Sequence, residues 1–109
     1  MSSKVYCLAQ FLPKLGKEVE LFKILQRLEP NSTREEGCLQ YTVTRQVSNR
    51  FAEGQSFPIV FNEVWKDMKA FEAHCQRPEI VHFFETYCLA DNGLAKDWNV
   101  CVYTDEAFE

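Results

Sequence analysis

Hydrophobic positions follow two different periodicities along the chain, and the change between them marks the predicted elements. Residues 17–29 repeat apolar side chains every three or four positions, which predicts a helix with one buried face. A second helical region follows Asp67, a suitable N-cap, and Pro78 divides it because proline favours the first turn of a helix. Four segments have the alternating or unbroken apolar character of β-strands: residues 4–11, 38–47, 59–66 and 97–104.

This β-α-β-β-α-β order predicts an α+β, ferredoxin-like fold with a four-stranded antiparallel sheet and helices on one face. The first, third and fourth strands carry apolar residues on both faces, whereas a sheet with one face in water should alternate cleanly. A single domain over residues 1–109 has no further segment to cover the second face. We therefore expect two copies to pack sheet against sheet as a homodimer. Residues 48–58 are long for a hairpin connection, and we expect them to be mobile or to contact the partner.

Composition and charge exclude several classes of protein. The net charge of −4, with no basic stripe, argues against nucleic-acid binding. No apolar run approaches the roughly 20 residues of a membrane helix, and the N-terminus lacks a signal layout, so we expect a cytoplasmic protein. The five cysteines are dispersed without a CxxC pair, which argues against a disulfide framework and a zinc site. No glycine-rich phosphate loop is present, and we expect neither a metal nor an organic cofactor.

Most of the residues that could bind or convert a substrate lie in residues 59–84. Trp65, at a strand end, could line a pocket and stack on an aromatic substrate, or be a large core side chain. Two histidines flank the break at Pro78. His82 lies off the apolar stripe of its helix, so it could face the pocket mouth as a proton carrier or face solvent. His74 lies at the edge of its stripe, where it could contact substrate or satisfy local carbonyl groups.

Three further polar residues are candidates for the same pocket. Asn62 lies mid-strand among apolar neighbours and must be hydrogen-bonded, either to a substrate oxygen or to backbone at a bulge. Glu63 shares a strand face with Trp65 and could be a general base or pair with an arginine. Tyr41 could donate to a substrate carbonyl or be a core tyrosine. A bulge near Glu63 would bring Asn62 to the same side as Trp65, and we expect these two residues and His82 to line one cavity between the sheet and the divided helix.

Two stretches resemble the antibiotic biosynthesis monooxygenase family of dimeric α/β barrels. They are Glu36-Gly37-Cys38-Leu39-Gln40-Tyr41, and Glu63-x-Trp65 followed by Ala73-His74 and His82-Phe83. The resemblance implies the dimeric barrel and, in some members, cofactor-free oxidation of phenolic or quinol-like compounds. The monooxygenases that resemble this chain use an Asn and a Trp in this strand, but the spacing between Asn62 and Trp65 places them on opposite faces of a regular strand. Haem-degrading members have an Asn in the first strand where this chain has Gln10, so the resemblance does not imply haem binding or haem degradation.

Three functions remain open at this point. The first is a cofactor-independent monooxygenase acting on a quinol-like or phenolic molecule. The second is an isomerase or lyase of a small polar, possibly phosphorylated metabolite, and the third is a small-molecule binder without catalysis. The predicted catalytic residues are His82, Asn62 and Glu63, and the predicted substrate-binding residues are Trp65, His74 and Tyr41.

Overall fold

The computed structural model describes residues 3–109, so the first two residues of the domain predicted over 1–109 lie outside that range. The strands are β1 (Val5–Pro13), β2 (Cys38–Arg45), β3 (Ile59–Trp65) and β4 (Ala95–Tyr103). The helices are α1 (Glu18–Gln26), α2 (Glu29–Thr33), α3 (Met68–Cys75) and α4 (Pro78–Phe84), which continues into a π-helical turn over Glu85–Leu89. The strands form one antiparallel sheet in the order β2-β3-β1-β4. This confirms the ferredoxin-like fold.

Local sequence signals explain where the helices begin. The Asp67 side chain accepts a hydrogen bond from the Ala70 backbone N–H at 2.8 Å, as expected of an N-cap. Pro78 opens α4. The helix predicted over 17–29 instead ends at Gln26, and a separate short helix begins at Glu29, with Pro30 in its first turn. Proline has no N–H to donate to the preceding turn, so the longer helix does not continue through it.

The core lies between the helices and one face of the sheet. Alternate residues of β1 and β3 face the helices, and Phe11, Phe61 and Trp65 are almost completely buried there. Leu21 and Leu25 of α1 pack into the same cluster. This face therefore carries most of the hydrophobic stabilisation of the chain.

The second face of the sheet has no covering helix among residues 3–109. Its central side chains are half-buried, as with Leu8 of β1 and with Val60 and Val64 of β3. Polar side chains occupy the outer strands, including Thr42 and Thr44 of β2. The face is mostly apolar on its two central strands, where Gln10 and Asn62 are the polar exceptions, and mainly polar on its outer strands.

The connection between β2 and β3 has little regular structure. The Gln46 backbone N–H donates to the Pro58 carbonyl at 2.8 Å and closes its base. Phe51 is 84% exposed and lies under the Arg50 guanidinium, 4.7 Å from the ring centroid, whereas Phe57 is half-buried. Whether residues 48–58 are mobile or contact a partner stays a prediction.

Two further features concern the whole described chain. No helix within residues 3–109 is long and apolar enough to cross a membrane. All five cysteines are unbonded thiols, as the dispersed spacing predicts.

Candidate functional site

A polar row crosses the helix-facing side of the sheet. Glu63 of β3 is the register partner of Tyr41 of β2 and of Cys7 of β1, so the three side chains lie next to one another. All three are buried, and Glu63 is only 5% exposed. Since residues two apart on a strand share a face, Trp65 follows Glu63 on this side.

Glu63 is an unusually placed carboxyl group. Its Oε1 accepts a hydrogen bond from the Trp65 indole Nε1–H at 3.0 Å. Burial raises the pKa of Glu63 from 4.5 to about 7, the Trp65 and Cys7 side chains oppose that rise, and the Glu35 charge adds to it. Near neutral pH the carboxyl group therefore exchanges a proton readily, which is the property a general base needs.

His74 lies in the last turn of α3 and is 3% exposed. Its ring packs on Trp65, with centroids 4.6 Å apart, and meets Tyr41 edge-on at 5.1 Å. Its Nδ1 lies 2.7 Å from Glu35 Oε2. Burial lowers the pKa of His74 by more than the Glu35 carboxylate raises it, so the imidazole is neutral at pH 7.

A cavity of about 40 Å³ lies between the sheet and helices α1, α3 and α4. Its polar wall is formed by Cys7, Tyr41, Glu63, His74 and Cys75, and its aromatic wall by Phe11, Phe61, Phe71, Phe83 and Phe84. A water molecule needs roughly 10–15 Å³ of such space. In this form the cavity therefore holds a few waters at most, surrounded by a mainly apolar shell.

The structure brings four of the six predicted site residues together. Tyr41, Glu63 and His74 line the cavity, and Trp65 lies behind two of them, bonded to Glu63 and stacked on His74. Their shared location follows from strand alternation and from the position of α3 over β3. Their catalytic or binding roles stay predictions.

Asn62 lies on the opposite face of the sheet, so its predicted place in this cavity is wrong. Its side-chain amide donates to Thr44 Oγ1 at 3.0 Å. β3 pairs with β1 in unbroken register, and the irregularity in its pairing with β2 lies on the β2 strand, between Cys38 and Gln40. Without a bulge in β3, the two-residue alternation sends Asn62 away from Trp65.

His82 is exposed on the outer side of α4 and does not line the cavity. The helix buries Ile80 and Phe83 instead. The His82 ring lies 3.4 Å from Thr86 Oγ1, one turn further along. The prediction that His82 shares a cavity with Trp65 is therefore also wrong.

Two charged residues of the site were not predicted. Glu35 lies in the turn after α2, and Arg77 lies just before Pro78. Arg77 Nη1 donates to Glu35 Oε2 at 2.7 Å, the same oxygen that contacts His74. The residues are far apart along the chain, and neither belongs to a periodic pattern, so no local signal identifies the pair.

Gly37 allows the Glu35 turn to approach α3. Its φ of +84° is in the left-handed region, and an added Cβ would lie 2.7 Å from Ala70 Cβ. Only glycine meets both requirements without strain. The close approach holds the turn against the first half of α3 and so helps to place Glu35 beside His74.

Comparison with known proteins gives a consistent family and fold. Residues 4–86 match the model of the antibiotic biosynthesis monooxygenase family. No curated protein matches the chain. A crystal structure from Shewanella oneidensis is 28% identical, with a TM-score of 0.77, over 96% of this chain and 93% of that one.

Two more distant crystal structures share the fold. A Deinococcus radiodurans protein provisionally named an antibiotic biosynthesis monooxygenase is 19% identical, with a TM-score of 0.72, over 97% of this chain and 93% of that one. A Mesorhizobium loti dabb family protein with a ferredoxin-like fold is 14% identical, with a TM-score of 0.72, over 96% of this chain and 99% of that one. With the family match spanning most of the sequence, the chain belongs to the antibiotic biosynthesis monooxygenase family.

Proposed function

We propose that this protein is a cofactor-independent monooxygenase acting on a quinol-like or phenolic aromatic molecule. The observation that carries the proposal is Glu63, a buried carboxyl group on the cavity wall with its pKa raised to about 7. Family membership supports monooxygenase chemistry in general. The substrate class is our inference from the base, the aromatic wall and the absence of any charged anchor in the cavity other than Glu63 within residues 3–109.

Glu63 would take the proton from a substrate hydroxyl, which makes the aromatic ring electron-rich enough to react with dioxygen. A carbon–oxygen bond forms to give a peroxide, and the oxygen–oxygen bond then breaks. One oxygen atom stays in the hydroxyquinone product, and the other leaves as water. The quinol supplies all the electrons, so the balanced reaction is quinol plus dioxygen to hydroxyquinone plus water.

The remaining side chains have supporting roles in this scheme. The Tyr41 hydroxyl can donate to a substrate oxygen, and burial raises the pKa of this phenol, so it stays protonated. The aromatic wall keeps water from the reacting atoms. Because the cavity holds only about 40 Å³, the substrate must displace part of the wall, and Phe71 and Phe84 are half-buried on the short helices α3 and α4.

The proposal predicts oxygen consumption with a suitable quinol. A panel of quinols and ionisable phenols would be screened for oxygen uptake, with heat-denatured protein as the control for autoxidation. With isotopically labelled dioxygen, mass spectrometry should find one labelled oxygen atom in each product molecule. Uptake no faster than the denatured control across the whole panel would contradict the proposal.

The cavity gives less support to the other two functions. Within residues 3–109, its wall contains no Lys or Arg, so it offers no cation to bind a phosphorylated metabolite. A binder without catalysis has no need of a buried carboxyl group that titrates near neutral pH, because holding such a group costs stability.

We also propose that the protein is a homodimer through the second face of the sheet. Leu8 lies at the centre of that face, between its register partners Asn62 and Cys101. Each of these three is half-buried in the single chain. A second copy would complete their burial, and the interface should exceed the roughly 1,000 Å² of stable biological contacts.

We expect Leu8→Asp to convert the dimer to a monomer, because a carboxylate would then be buried against the apolar centre of the partner. Light scattering after size exclusion would measure the mass. Leu89→Asp is the matched control, since Leu89 is 66% exposed on the π-helical turn, and it should leave the mass unchanged. A folded wild-type monomer at micromolar concentration would refute the proposal.

A further inference from the structure

A charged pair outside the cavity contacts His74. The Glu35 side chain is 12% exposed, and its Oε2 lies 2.7 Å both from His74 Nδ1 and from Arg77 Nη1. Glu79 also reaches Arg77, with Oε1 3.5 Å from Nη2. His74 therefore has one carboxylate in direct contact, with Arg77 and Glu79 behind it.

The contact fixes the position of the proton on the imidazole. An ionised carboxylate only accepts hydrogen bonds, so His74 Nδ1 must carry the proton that it shares with Glu35. Arg77 supplies the opposite charge at the same carboxylate oxygen. A neutral imidazole has a single ring proton, and with that proton on Nδ1 the other nitrogen, Nε2, has its lone pair available.

The plane of the ring is fixed as well. Trp65 covers one side at 4.6 Å between centroids, and Tyr41 meets the ring edge-on. His74 Nε2 has no hydrogen-bond partner in the described part of the chain. Since His74 lines the cavity, a bound molecule there can supply that partner.

We propose that Glu35, held by Arg77, is a positioning residue that keeps His74 in the Nδ1–H tautomer, with Nε2 as a second proton-accepting atom on the wall of the Glu63 cavity. The catalytic meaning of this inference rests on the proposed function. Glu63 then takes the substrate hydroxyl proton and returns it to the newly formed peroxide. His74 Nε2 takes the proton from the ring carbon as the oxygen–oxygen bond breaks and passes it to the departing hydroxide, which leaves as water. The arrangement between Glu35 and His74 is a property of the folded protein and can be tested without substrate.

The test measures ring-nitrogen chemical shifts by long-range proton–nitrogen correlation NMR on labelled protein near neutral pH. The chain has only two histidines, and His82→Asn assigns the signals. In the wild type, His74 should show a protonated Nδ1 and an unprotonated Nε2. In Glu35→Ala, the population should move towards Nε2–H, because the acceptor for the Nδ1 proton is gone.

Glu36→Ala is the matched control, since that side chain is 90% exposed and, within residues 3–109, bonds only to Lys66, and it should leave the tautomer unchanged. Protonation of wild-type His74 at Nε2, or an unchanged tautomer in Glu35→Ala, would overturn the inference. If Glu35→Ala does not fold, the tautomer seen in the wild-type spectrum alone still decides whether the inference holds.

Where a substrate is in hand, Glu35→Ala should lower kcat on the order of 10–100-fold with little change in KM. If wild-type His74 is the Nδ1–H tautomer but the protein takes up no oxygen with any substrate tested, the proposed function is contradicted and this inference is not.

Discussion

Replacing Glu63 with Gln is expected to reduce the rate of substrate oxidation by about 10²–10⁴-fold, the usual cost of removing a general base. Gln has nearly the same shape and still offers an oxygen to the Trp65 indole, so the fold should persist. In the wild type, kcat/KM should rise with pH and level off above about 7, because only the ionised carboxylate accepts the substrate proton. The variant should lose that rise. Oxygen uptake measured from acid to mildly alkaline pH would show both effects.

Two control variants separate this effect from general damage. Glu36→Gln changes a carboxyl group that is exposed, and His82→Asn changes a histidine on the outer side of α4. Both should retain wild-type rates. An active Glu63→Gln, or a large loss in His82→Asn, would show that the base has been assigned to the wrong residue.

The same carboxyl group should make the stability of the protein depend on pH. The pKa of Glu63 is raised in the folded state, so the unfolded chain loses this proton at a lower pH than the folded chain does. The contribution of Glu63 to stability is therefore complete below pH 4.5 and is lost as the pH rises towards about 7. At roughly 1.4 kcal/mol for each tenfold change in proton affinity, the loss is about 3 kcal/mol.

Urea unfolding of the wild type and of Glu63→Gln at about pH 4 and about pH 8 would measure this loss. From about pH 4 to about pH 8, we expect the free energy of unfolding of the variant minus that of the wild type to increase by about 3 kcal/mol, because only the wild type loses the Glu63 contribution. The comparison with the variant is needed because His74 also makes stability depend on pH. Its pKa is lowered in the folded state, so its contribution to the stability of both proteins is lost as the pH falls, opposite to that of Glu63. A pH-independent difference between the two proteins would mean that Glu63 is not a buried, titrating group.

The fold was predictable because its determinants are local. Two-residue and three-to-four-residue periodicities define the strands and the long helices, and Asp67 and Pro78 mark where α3 and α4 begin. The first helix was predicted over 17–29, but it ends earlier, at Gln26, and the separate helix α2 begins at Glu29. Helix ends depend on packing as well as on sequence.

The site was predictable only in part, because some of its contacts follow from local sequence and others form only through tertiary packing. Glu63 and Trp65 share a strand face by simple alternation, and the structure keeps them together. The inclusion of Asn62 depended on a bulge that β3 does not contain. Glu35 and Arg77 meet through tertiary packing across more than forty residues of sequence, at 2.7 Å, and no periodicity encodes such a pair.

The strand order also has a consequence for how the chain folds. β1 lies inside the sheet, and its two neighbours are β3 and β4. Its pairing with β4 joins Tyr6 to Tyr103, so one edge of β1 stays unpaired until residues 95–103 have been synthesised. Contacts this distant in sequence slow folding, because a long loop must close before they form. An apolar strand with an open edge is also prone to aggregation. The chain is therefore exposed to aggregation until β4 has paired with β1.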